Sequence, residues 1–294
     1  MIRTKLSRTL KESPFELYSL QINREISTKI FSYIPFEPKK IYDPACRYGN
    51  MLQYFNQMYC DKPMFGQDFS PYKIKTAKRS LDNFTGYVGD PIKDDFFKFE
   101  KFDCIVTSLP LELRSEKVRP DIYDERFKQF DFEKLYKLNK SLIGKDYNDE
   151  YNYMYLSISY EYSYLLHILH HLEDDGVALV VCSTDVLHNV YEVSPSDRMF
   201  LINYNGKIEK IKGYSPLDIS DFNDHEIKKW MFENGYIDTI IKLPEININD
   251  IIIDYCILIL RKNRDNSKVI YIEDLDGNRE ELSVNEIERN DYCI

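Results

Sequence analysis

The sequence predicts an α/β protein built on a doubly wound, mostly parallel sheet of the Rossmann-like type. Strand-like runs alternate with helix-like segments along most of the chain, an order typical of parallel sheets covered by helices. Residues 177–182 form a continuous apolar run, as expected for a strand that is buried on both faces. We therefore expect a seven-stranded sheet with an antiparallel hairpin at one edge.

The order of the predicted elements supports this sheet. Ser70 followed by Pro71 predicts a helix start, since serine caps a helix and proline fits its first turn. Apolar residues at helical spacing between 162 and 172 predict a further helix. The last two strands, 255–261 and 268–273, have too little chain between them for a helix, so we expect them to form the edge hairpin.

We expect one domain, because the sequence contains no internal repeat and no linker-like composition. The predicted domain covers residues 23–275, after an N-terminal segment (1–22) and before a C-terminal tail (276–294) that resembles a solvated helix. Two stretches inside it, about 112–152 and 189–222, lack a clear period. We interpret both as irregular insertions, and the first as a long functional loop.

Composition limits the classes of partner and compartment. The net charge of −10 argues against a protein that coats nucleic acid, because neutralising phosphates needs clustered lysine and arginine. A local basic patch remains compatible with that charge. The six cysteines are scattered, with no C-x-x-C pair and no secretory leader, so we expect reduced thiols in a cytoplasmic protein. No apolar run is long enough to span a membrane, and we expect no membrane partner.

The segment from Ile41 to Asn50 has the order strand, tight loop, helix. Its apolar run ends at Asp43, and apolar residues recur at helical spacing after Asn50. In an open α/β sheet this order places a ligand crevice at the carboxyl end of the strand. A loop that approaches a nucleotide-type cofactor closely needs glycine. Only Gly49 is present here, and Arg47 occupies a position where a small residue is expected.

Acidic residues follow three predicted strands. Asp43, Asp68 and Asp90 each stand where a strand ends, and in a doubly wound sheet those ends face one crevice. Asp68 has the spacing from Asp43 at which a second-strand acid meets ribose hydroxyls, and Asp90 is suited to accept from an adenine amine. The same three residues also suit turns and helix caps, where aspartate is common. Spacing alone leaves both interpretations open.

In order along the chain, these segments resemble the N-6 DNA methylase family, the modification subunits of type I restriction–modification systems. The resemblance covers roughly residues 15–275. Asp43-Pro44-Ala45-Cys46 with Gly49 resembles the family's D-P-A-C-G-S-G motif. It implies a methyltransferase fold in which Asp43, Pro44, Ala45 and Gly49 bind S-adenosylmethionine.

Two shorter motifs complete the implied cofactor site. The acid of Gly66-Gln67-Asp68 resembles the family's G-Q-E, whose acid holds the ribose, and Gly89-Asp90 resembles its G-D, which adjoins the adenine. The strings 240–244 and 256–260 also fall where the family has similar ones. The resemblance therefore implies that Asp68 and Asp90 bind the nucleoside.

The resemblance places the catalytic motif N-P-P-F at Ser108, Leu109, Pro110 and Leu111. Family members methylate the amine of an adenine flipped out of the duplex. Their asparagine side chain and the next carbonyl accept hydrogen bonds from that amine. Here Ser108 offers one hydroxyl, the Leu109 carbonyl remains, and Leu111 removes an aromatic face that is worth about 1–3 kcal/mol in base stacking.

Two further departures concern the cofactor. Arg47 replaces the first motif glycine and brings bulk and positive charge towards a sulfonium, although it could also turn outward or pair with the cofactor carboxylate. Residues 21–23 (Gln-Ile-Asn) stand where the family has Y-T-P. The departures from the family thus fall on the chemistry, and they indicate weakened or lost methyl transfer.

Two other signals have weaker functional interpretations. His167, His170 and His171 have helical spacing that could hold a metal, but they lie in a leucine-rich helix and we expect no metal site. Residues 114–140 interleave basic and aromatic side chains that could meet a nucleic-acid backbone. They also contain almost as many acids, so we interpret this stretch as a solvated loop.

Three functional hypotheses follow. The first is a degenerate relative of the type I modification subunit, acting as a subunit or scaffold in a restriction or defence assembly. Its implied partners are DNA, directly or through a complex, and the specificity and restriction subunits. The second is an active DNA adenine methyltransferase that uses S-adenosylmethionine. The third is a non-catalytic interaction module, which would bind no cofactor.

Overall fold

The computed structural model describes residues 31–110, 116–143, 156–187, 196–204, 207–213, 216–244, 246–248, 251–264, 268–272 and 279–283. The helices in these ranges are α1 (Asn50–Met58), α2 (Pro71–Ser80), α3 (Glu125–Lys128), α4 (Phe132–Ile143), α5 (Tyr160–His171) and α6 (Pro216–Glu233). No helix in these ranges is long and apolar enough to cross a membrane.

The first eight strands along the chain are β1 (Ile41–Asp43), β2 (Met64–Asp68), β3 (Phe84–Val88), β4 (Phe102–Ser108), β5 (Lys117–Val118), β6 (Ile158–Ser159), β7 (Leu172–Ser183) and β8 (Ser196–Tyr204). The remaining seven are β9 (Lys207–Gly213), β10 (Ile237–Lys242), β11 (Ile246–Ile248), β12 (Ile251–Ile253), β13 (Tyr255–Leu260), β14 (Lys268–Ile272) and β15 (Arg279–Ser283). Nine of these strands form the central sheet, and the other six form three two-stranded antiparallel sheets, β5–β6, β8–β9 and β11–β12.

The central sheet has the order β15-β14-β10-β13-β7-β4-β1-β2-β3. Neighbouring strands from β7 to β3 are parallel, and β14 is parallel to β10. Only β13 and β15 run in the opposite direction within the described sheet. The predicted α/β fold with a mostly parallel, doubly wound sheet is therefore confirmed.

The strand count and the edge hairpin differ from the prediction. Among the described residues the sheet has nine strands where seven were predicted, and β13 inserts between β7 and β10 instead of pairing with β14. Strands β13 and β14 do run antiparallel, but they lie on opposite sides of β10. The edge hairpin is β14–β15, and β15 lies in the segment predicted as a C-terminal tail. Closeness in sequence therefore did not identify the pairing partner.

Both predicted insertions contain regular structure. The stretch 112–152 includes β5, α3 and α4, and residues 189–222 include the β8–β9 hairpin and the first part of α6. Charged residues on the exposed face of α4 made its helical spacing of apolar residues hard to recognise in the sequence. Helix α6 begins at Pro216, inside the stretch interpreted as the second irregular insertion.

The core lies on both faces of the sheet because successive strand residues point to opposite sides. On one face Tyr42 and Ile105 pack with α5 and α6, and on the other Ile41, Cys104 and Val106 pack with α1 and α2. All five side chains are fully buried. The sheet edge that carries the strand ends is therefore held from both sides.

Local signals explain where α2 and α5 begin. Ser70 caps α2 by accepting from the N–H of Lys73 (3.4 Å), with Pro71 in the first turn, as predicted. Ser159 caps α5 by accepting from the N–H of Tyr162 (3.3 Å). These caps fix the starts of two helices, α2 directly after β2 of the central sheet and α5 directly after β6 of a separate two-stranded sheet.

Candidate functional site

The carboxyl ends of four parallel strands, β1 to β4, meet at one edge of the sheet. Asp43 ends β1, Asp68 ends β2, Asp90 follows β3 and Ser108 ends β4, and each is at most 7% exposed. The chain leaves β1 first towards β2 and later returns to β4 on the other side. Ligands of open α/β sheets bind at such a switch point. The structure thus brings three predicted cofactor acids and the predicted catalytic serine to one edge.

Asp43 lies at the centre of this edge. Its Oδ1 accepts a hydrogen bond from the N–H of Ala45 (3.0 Å), which folds the turn at Pro44 over the end of β1. Burial raises the pKa of Asp43 to about 7, while the Ala45 hydrogen bond and the charge of Arg47 act in the opposite direction. The turn therefore holds a carboxyl group that is only partly ionised at neutral pH.

The loop after Asp43 contains two residues with left-handed backbone. Gly49 has φ +78°, and Arg47 has φ +50°, the only positive value at a residue other than glycine in the described ranges. Such a conformation costs other residues about 1–2 kcal/mol. A Cβ at Gly49 would also lie 3.0 Å from Leu81 and 3.2 Å from Ala77. The loop keeps a backbone path suited to two glycines, but it carries a large cation at the first.

Arg47 is buried between the ends of β1 and β2, with 5% exposure. Its N–H donates to Oδ2 of Asp68 (3.1 Å), and the N–H of Ser70 donates to Oδ1 (2.8 Å). Burial raises the pKa of Asp68, while these hydrogen bonds and the charges of Lys73 and Arg47 oppose the shift. Both oxygens of the predicted ribose acid therefore accept from the chain's own backbone, next to a buried arginine.

Asp90 also accepts hydrogen bonds from the chain itself. Its Oδ1 accepts from the N–H of Ile92 (3.0 Å), and its Oδ2 accepts from the Tyr160 hydroxyl and lies 3.3 Å from Nζ of Lys93. Burial and the hydrogen bond to Asp90 raise the pKa of Tyr160. Sequence reasoning missed Tyr160, because 70 residues separate it from Asp90 and no local motif marks the contact.

The predicted catalytic motif begins at the end of β4. Ser108 lies opposite Val181 of β7, and the N–H of Leu109 donates to the Val181 carbonyl (2.8 Å). Leu109 and Pro110 are buried, whereas Leu111 lies outside the described residues. Residues 21–23, predicted to depart from the family pattern, also lie outside them. The structure thus places the start of the motif at the end of β4, a strand that lies between β1 and β7.

Arg126 is a site residue that sequence reasoning placed in a solvated loop, but it is only 3% exposed. Its guanidinium forms a bidentate ion pair with Asp124, with Nη2 2.6 Å from Oδ2 and Nε 2.9 Å from Oδ1. It also donates hydrogen bonds to the carbonyls of Pro91 and Ile92. Its Nε also lies 3.6 Å from Asp95. Arg126 therefore fastens the loop that follows Asp90 to α3.

The ring of His167 has a defined proton position. Its Nδ1 lies 3.2 Å from Nη1 of Arg126, which can only donate, so Nδ1 accepts. The proton is on Nε2, which donates to the Tyr42 hydroxyl (3.0 Å). Burial holds the pKa of His167 well below its usual value, in agreement with a neutral ring.

His171 contacts two acceptors. Its Nδ1 lies 2.9 Å from the carbonyl of Glu100, and its Nε2 lies 3.2 Å from Oδ2 of Asp95. Although burial opposes ionisation, the hydrogen bond from His171 and the charges of His171 and Arg126 lower the pKa of Asp95. Both ring nitrogens of His171 thus face oxygen atoms, one of a backbone carbonyl and one of the Asp95 carboxyl group.

The spacing of His167 and His171 does bring them together with Asp95, close enough for one metal ion. The Arg126 guanidinium already lies within this cluster, 3.2 Å from His167 and 3.6 Å from Asp95. Each ring nitrogen of both histidines already contacts a protein atom, as given above. The expected absence of a metal stays a prediction, and this arrangement favours it.

A cavity of about 500 Å³ lies next to the residues that hold Asp90. It is lined by Ile92, Lys93 and Tyr160, by residues 116–121, and by Asp124, Arg126 and Phe127. Its wall contains side chains of both charge signs.

The family described as N-6 DNA Methylase has a model that matches residues 219–292, from within α6 through β15. This is the family that the motifs at residues 43–49, 66–68 and 108–111 resemble. The resemblance predicted from the sequence is therefore confirmed. The matched stretch contains none of the predicted site residues.

Two solved structures share the fold. The methyltransferase subunit of a type I restriction–modification system from Streptococcus thermophilus superposes with a TM-score of 0.56 and 19% identity, over 90% of this chain and 49% of that one. The type IIG restriction endonuclease BpuSI gives 0.51 and 12% identity, over 92% of this chain and 31% of that one. This chain thus spans at most about half the length of either protein.

Proposed function

We propose that this chain is a degenerate relative of the modification subunits of type I restriction–modification systems. It keeps the adenosine-binding half of a methyltransferase site and has weak or no methyl transfer. The observation that carries this proposal is Arg47, which is buried in left-handed backbone where the family has glycine. The family resemblance and the methyltransferase fold support a role as a subunit or scaffold in a restriction or defence assembly.

The residues at the strand ends fit the adenosine part of S-adenosylmethionine. Asp68 and Asp90 offer acceptors to ribose hydroxyls and to an adenine amine at neighbouring strand ends. They do not fit its sulfonium equally well. Arg47 brings a permanent positive charge beside Asp68, and Asp43 is only partly ionised at neutral pH. The cationic centre would therefore approach a second cation that is buried in the same loop.

The residues at the catalytic motif support the same conclusion. S-Adenosylmethionine, when bound, supplies the methyl group, and the protein must orient the amine that receives it. An asparagine amide and a carbonyl would provide two acceptors, whereas here the Ser108 hydroxyl provides one beside the Leu109 carbonyl. Leu111 provides no aromatic face for a flipped base, a loss of about 1–3 kcal/mol of stacking. Orientation of the base is therefore weakened along with the cofactor site.

Transfer of labelled methyl groups to adenine-rich duplex DNA tests this function. We expect background incorporation by the native chain, alone and with a specificity subunit. Arg47 and Ser108 stand where the family has a glycine and an asparagine. The double variant Arg47→Gly, Ser108→Asn should therefore incorporate more labelled methyl than either single variant. Robust transfer by the native chain that disappears in Ser108→Ala would contradict the proposal.

One observation favours an active DNA adenine methyltransferase as the second candidate. Ser108 ends β4, which lies between β1 and β7, and the resemblance aligns it with the family's catalytic asparagine. In that case the Ser108 hydroxyl and the Leu109 carbonyl would accept from the adenine amine. Strong incorporation by the native chain, with Ser108→Ala inactive, would establish this candidate. DNA and the specificity and restriction subunits are proposed partners under both candidates.

A further inference from the structure

Helix α2 concentrates positive charge in a chain whose net charge is −10. Its ten residues contain no acid and four cations, namely Lys73, Lys75, Lys78 and Arg79. The last three of these are exposed. Within the part of the chain that the structure describes, none of these three side chains forms an ion pair with an acid. Helix α2 therefore carries a local basic patch of the kind that the overall charge leaves possible.

The stability of the helix does not account for this cluster. Helices α3, α4 and α6 each pair a cation with an acid one turn away, in the pairs Glu125–Lys128, Glu133–Lys137 and Lys229–Glu233. Like charges at the same spacing destabilise a helix by about 0.2–0.5 kcal/mol per pair. In α2, Lys75 has this spacing to both Lys78 and Arg79. The helix dipole favours cations in the last turn, where Lys78 and Arg79 lie, but it does not favour Lys75.

The exposed donors of α2 lie close together on its outer side. Tyr72, Lys75 and Arg79 follow one another at helical spacing, and Lys78 lies one turn after Lys75. Tyr72 is 55% exposed, whereas Ile74 and Ala77 form the buried side of the helix. We call Tyr72, Lys75, Lys78 and Arg79 the α2 surface. The exposed acid Asp82 follows the helix and limits this surface to residues 72–79.

Lys73 is not part of the α2 surface, because its charge acts inside the fold. Burial raises the pKa of Asp68, and the charge of Lys73 opposes that rise. Its ammonium also lies 5.8 Å from the centre of the Tyr48 ring. The fold therefore explains Lys73, and it leaves three exposed cations and one tyrosine without such a role.

We propose that the α2 surface binds the phosphate backbone of duplex DNA. This inference deepens the proposed function, because it rests on DNA as a partner of the chain and names the residues that would contact it. Lysine, arginine and tyrosine side chains donate hydrogen bonds to phosphate oxygens, which only accept them. Such contacts position a protein on the duplex but do not read its sequence. Sequence selection would then depend on another subunit.

The α2 surface lies beside the crevice and not within it. Helix α2 packs against β2 and β3, and it begins directly after the Ser70 cap that follows Asp68. In the sheet order only β1 separates β2 from β4, the strand that ends at Ser108, so these strands are about 10 Å apart. Duplex DNA on the α2 surface would therefore run close to the crevice, and its binding would need no flipped base.

Fluorescence anisotropy with a labelled duplex of about 20 base pairs, measured over a range of salt concentrations, tests the inference. The test variant is Lys75→Gln, Lys78→Gln, Arg79→Gln in the full chain. We expect its affinity at about 50 mM salt to be at least about tenfold below that of the native chain. Its plot of log affinity against log salt concentration should be shallower by about 2–3, because each phosphate contact contributes about 0.9 to the slope.

Two further variants keep the test specific. Lys137→Gln, Lys229→Gln, Lys268→Gln removes the same charge from exposed lysines that already pair with acids. We expect its affinity to stay within about threefold of the native value, because it removes no phosphate contact. Lys75→Arg, Lys78→Arg, Arg79→Lys keeps the charge of the α2 surface and should bind like the native chain. All of these side chains favour helix to a similar degree, so α2 should fold in each variant.

The outcomes separate this inference from the proposed function. Equal losses in the two glutamine variants would mean that net charge acts instead of the α2 surface, which overturns the inference and leaves DNA as a partner. A loss in the charge-preserving variant as large as in the α2 glutamine variant would overturn it as well, because charge would then not be the cause. The inference also fails if the native chain does not bind the duplex at about 50 mM salt. In each case the methyl-transfer measurement decides the proposed function independently.

Discussion

Replacing Arg126 by methionine should lower the free energy of unfolding by about 3–5 kcal/mol, because it leaves buried charged and polar groups without their partner. The guanidinium contacts Asp124 and Asp95 and donates to the carbonyls of Pro91 and Ile92. Methionine fills a similar volume but donates no hydrogen bond. Urea unfolding of native and variant chains, compared at one pH, measures the difference.

Lys128→Met on the same short helix provides the matched control. Lys128 pairs with Glu125 at the surface, where both side chains are about half or more exposed. Such pairs contribute little, so we expect a change within about 0.5 kcal/mol. If Arg126→Met destabilised the protein no more than Lys128→Met, Arg126 would not fasten the loop that follows Asp90.

Asp43→Asn should stabilise the protein at alkaline pH, by about 2–4 kcal/mol at pH 8. The native state keeps the proton of Asp43 up to about pH 7, whereas an aspartate in the unfolded chain loses it near the ordinary pKa of 3.8. Between these values the native state binds more protons than the unfolded state, so its stability falls as pH rises. Asparagine cannot ionise and avoids this loss. Denaturant unfolding from pH 5 to pH 8 should therefore show a gain that grows with pH.

The exposed Asp82 supplies the control for this pH dependence. As a substitution at the surface, Asp82→Asn should change stability by less than about 0.5 kcal/mol. A stabilisation by Asp43→Asn that is the same at pH 5 and pH 8 would disprove the raised pKa. A destabilisation at pH 8 would do so as well, because it would mean that the ionised carboxylate is favoured by its surroundings.

Much of the fold could be predicted because its signals are local. The acids at 43 and 68 do end strands, and the Ser70-Pro71 pair does begin a helix. The order in which strands pair is not local. Strand β13 inserts between β7 and β10, and this depends on contacts between residues more than 70 positions apart, such as Cys182 opposite Cys256. The sequence contains no pattern that distinguishes this pairing from an edge hairpin.

The candidate site, too, could be predicted only in part from the sequence. The motif positions bring Asp43, Asp68 and Asp90 to one edge, as the parallel strands require, although their roles stay predictions. The contacts that hold these acids were not predictable. Tyr160 reaches Asp90 across 70 residues, and Arg126 reaches Ile92 across 34. Charge pattern alone assigned Arg126 to solvent, because its burial depends on acceptors supplied by a distant loop.

The thermal shift caused by S-adenosylmethionine in Arg47→Gly tests the central proposal most directly, namely that the buried Arg47 weakens the binding of S-adenosylmethionine. At about 1 mM ligand we expect no change in the Tm of the native chain. The Tm of the variant should rise by about 3–6 °C, since binding to the folded state alone stabilises it. An equal rise in both proteins, or none in either, would contradict the account.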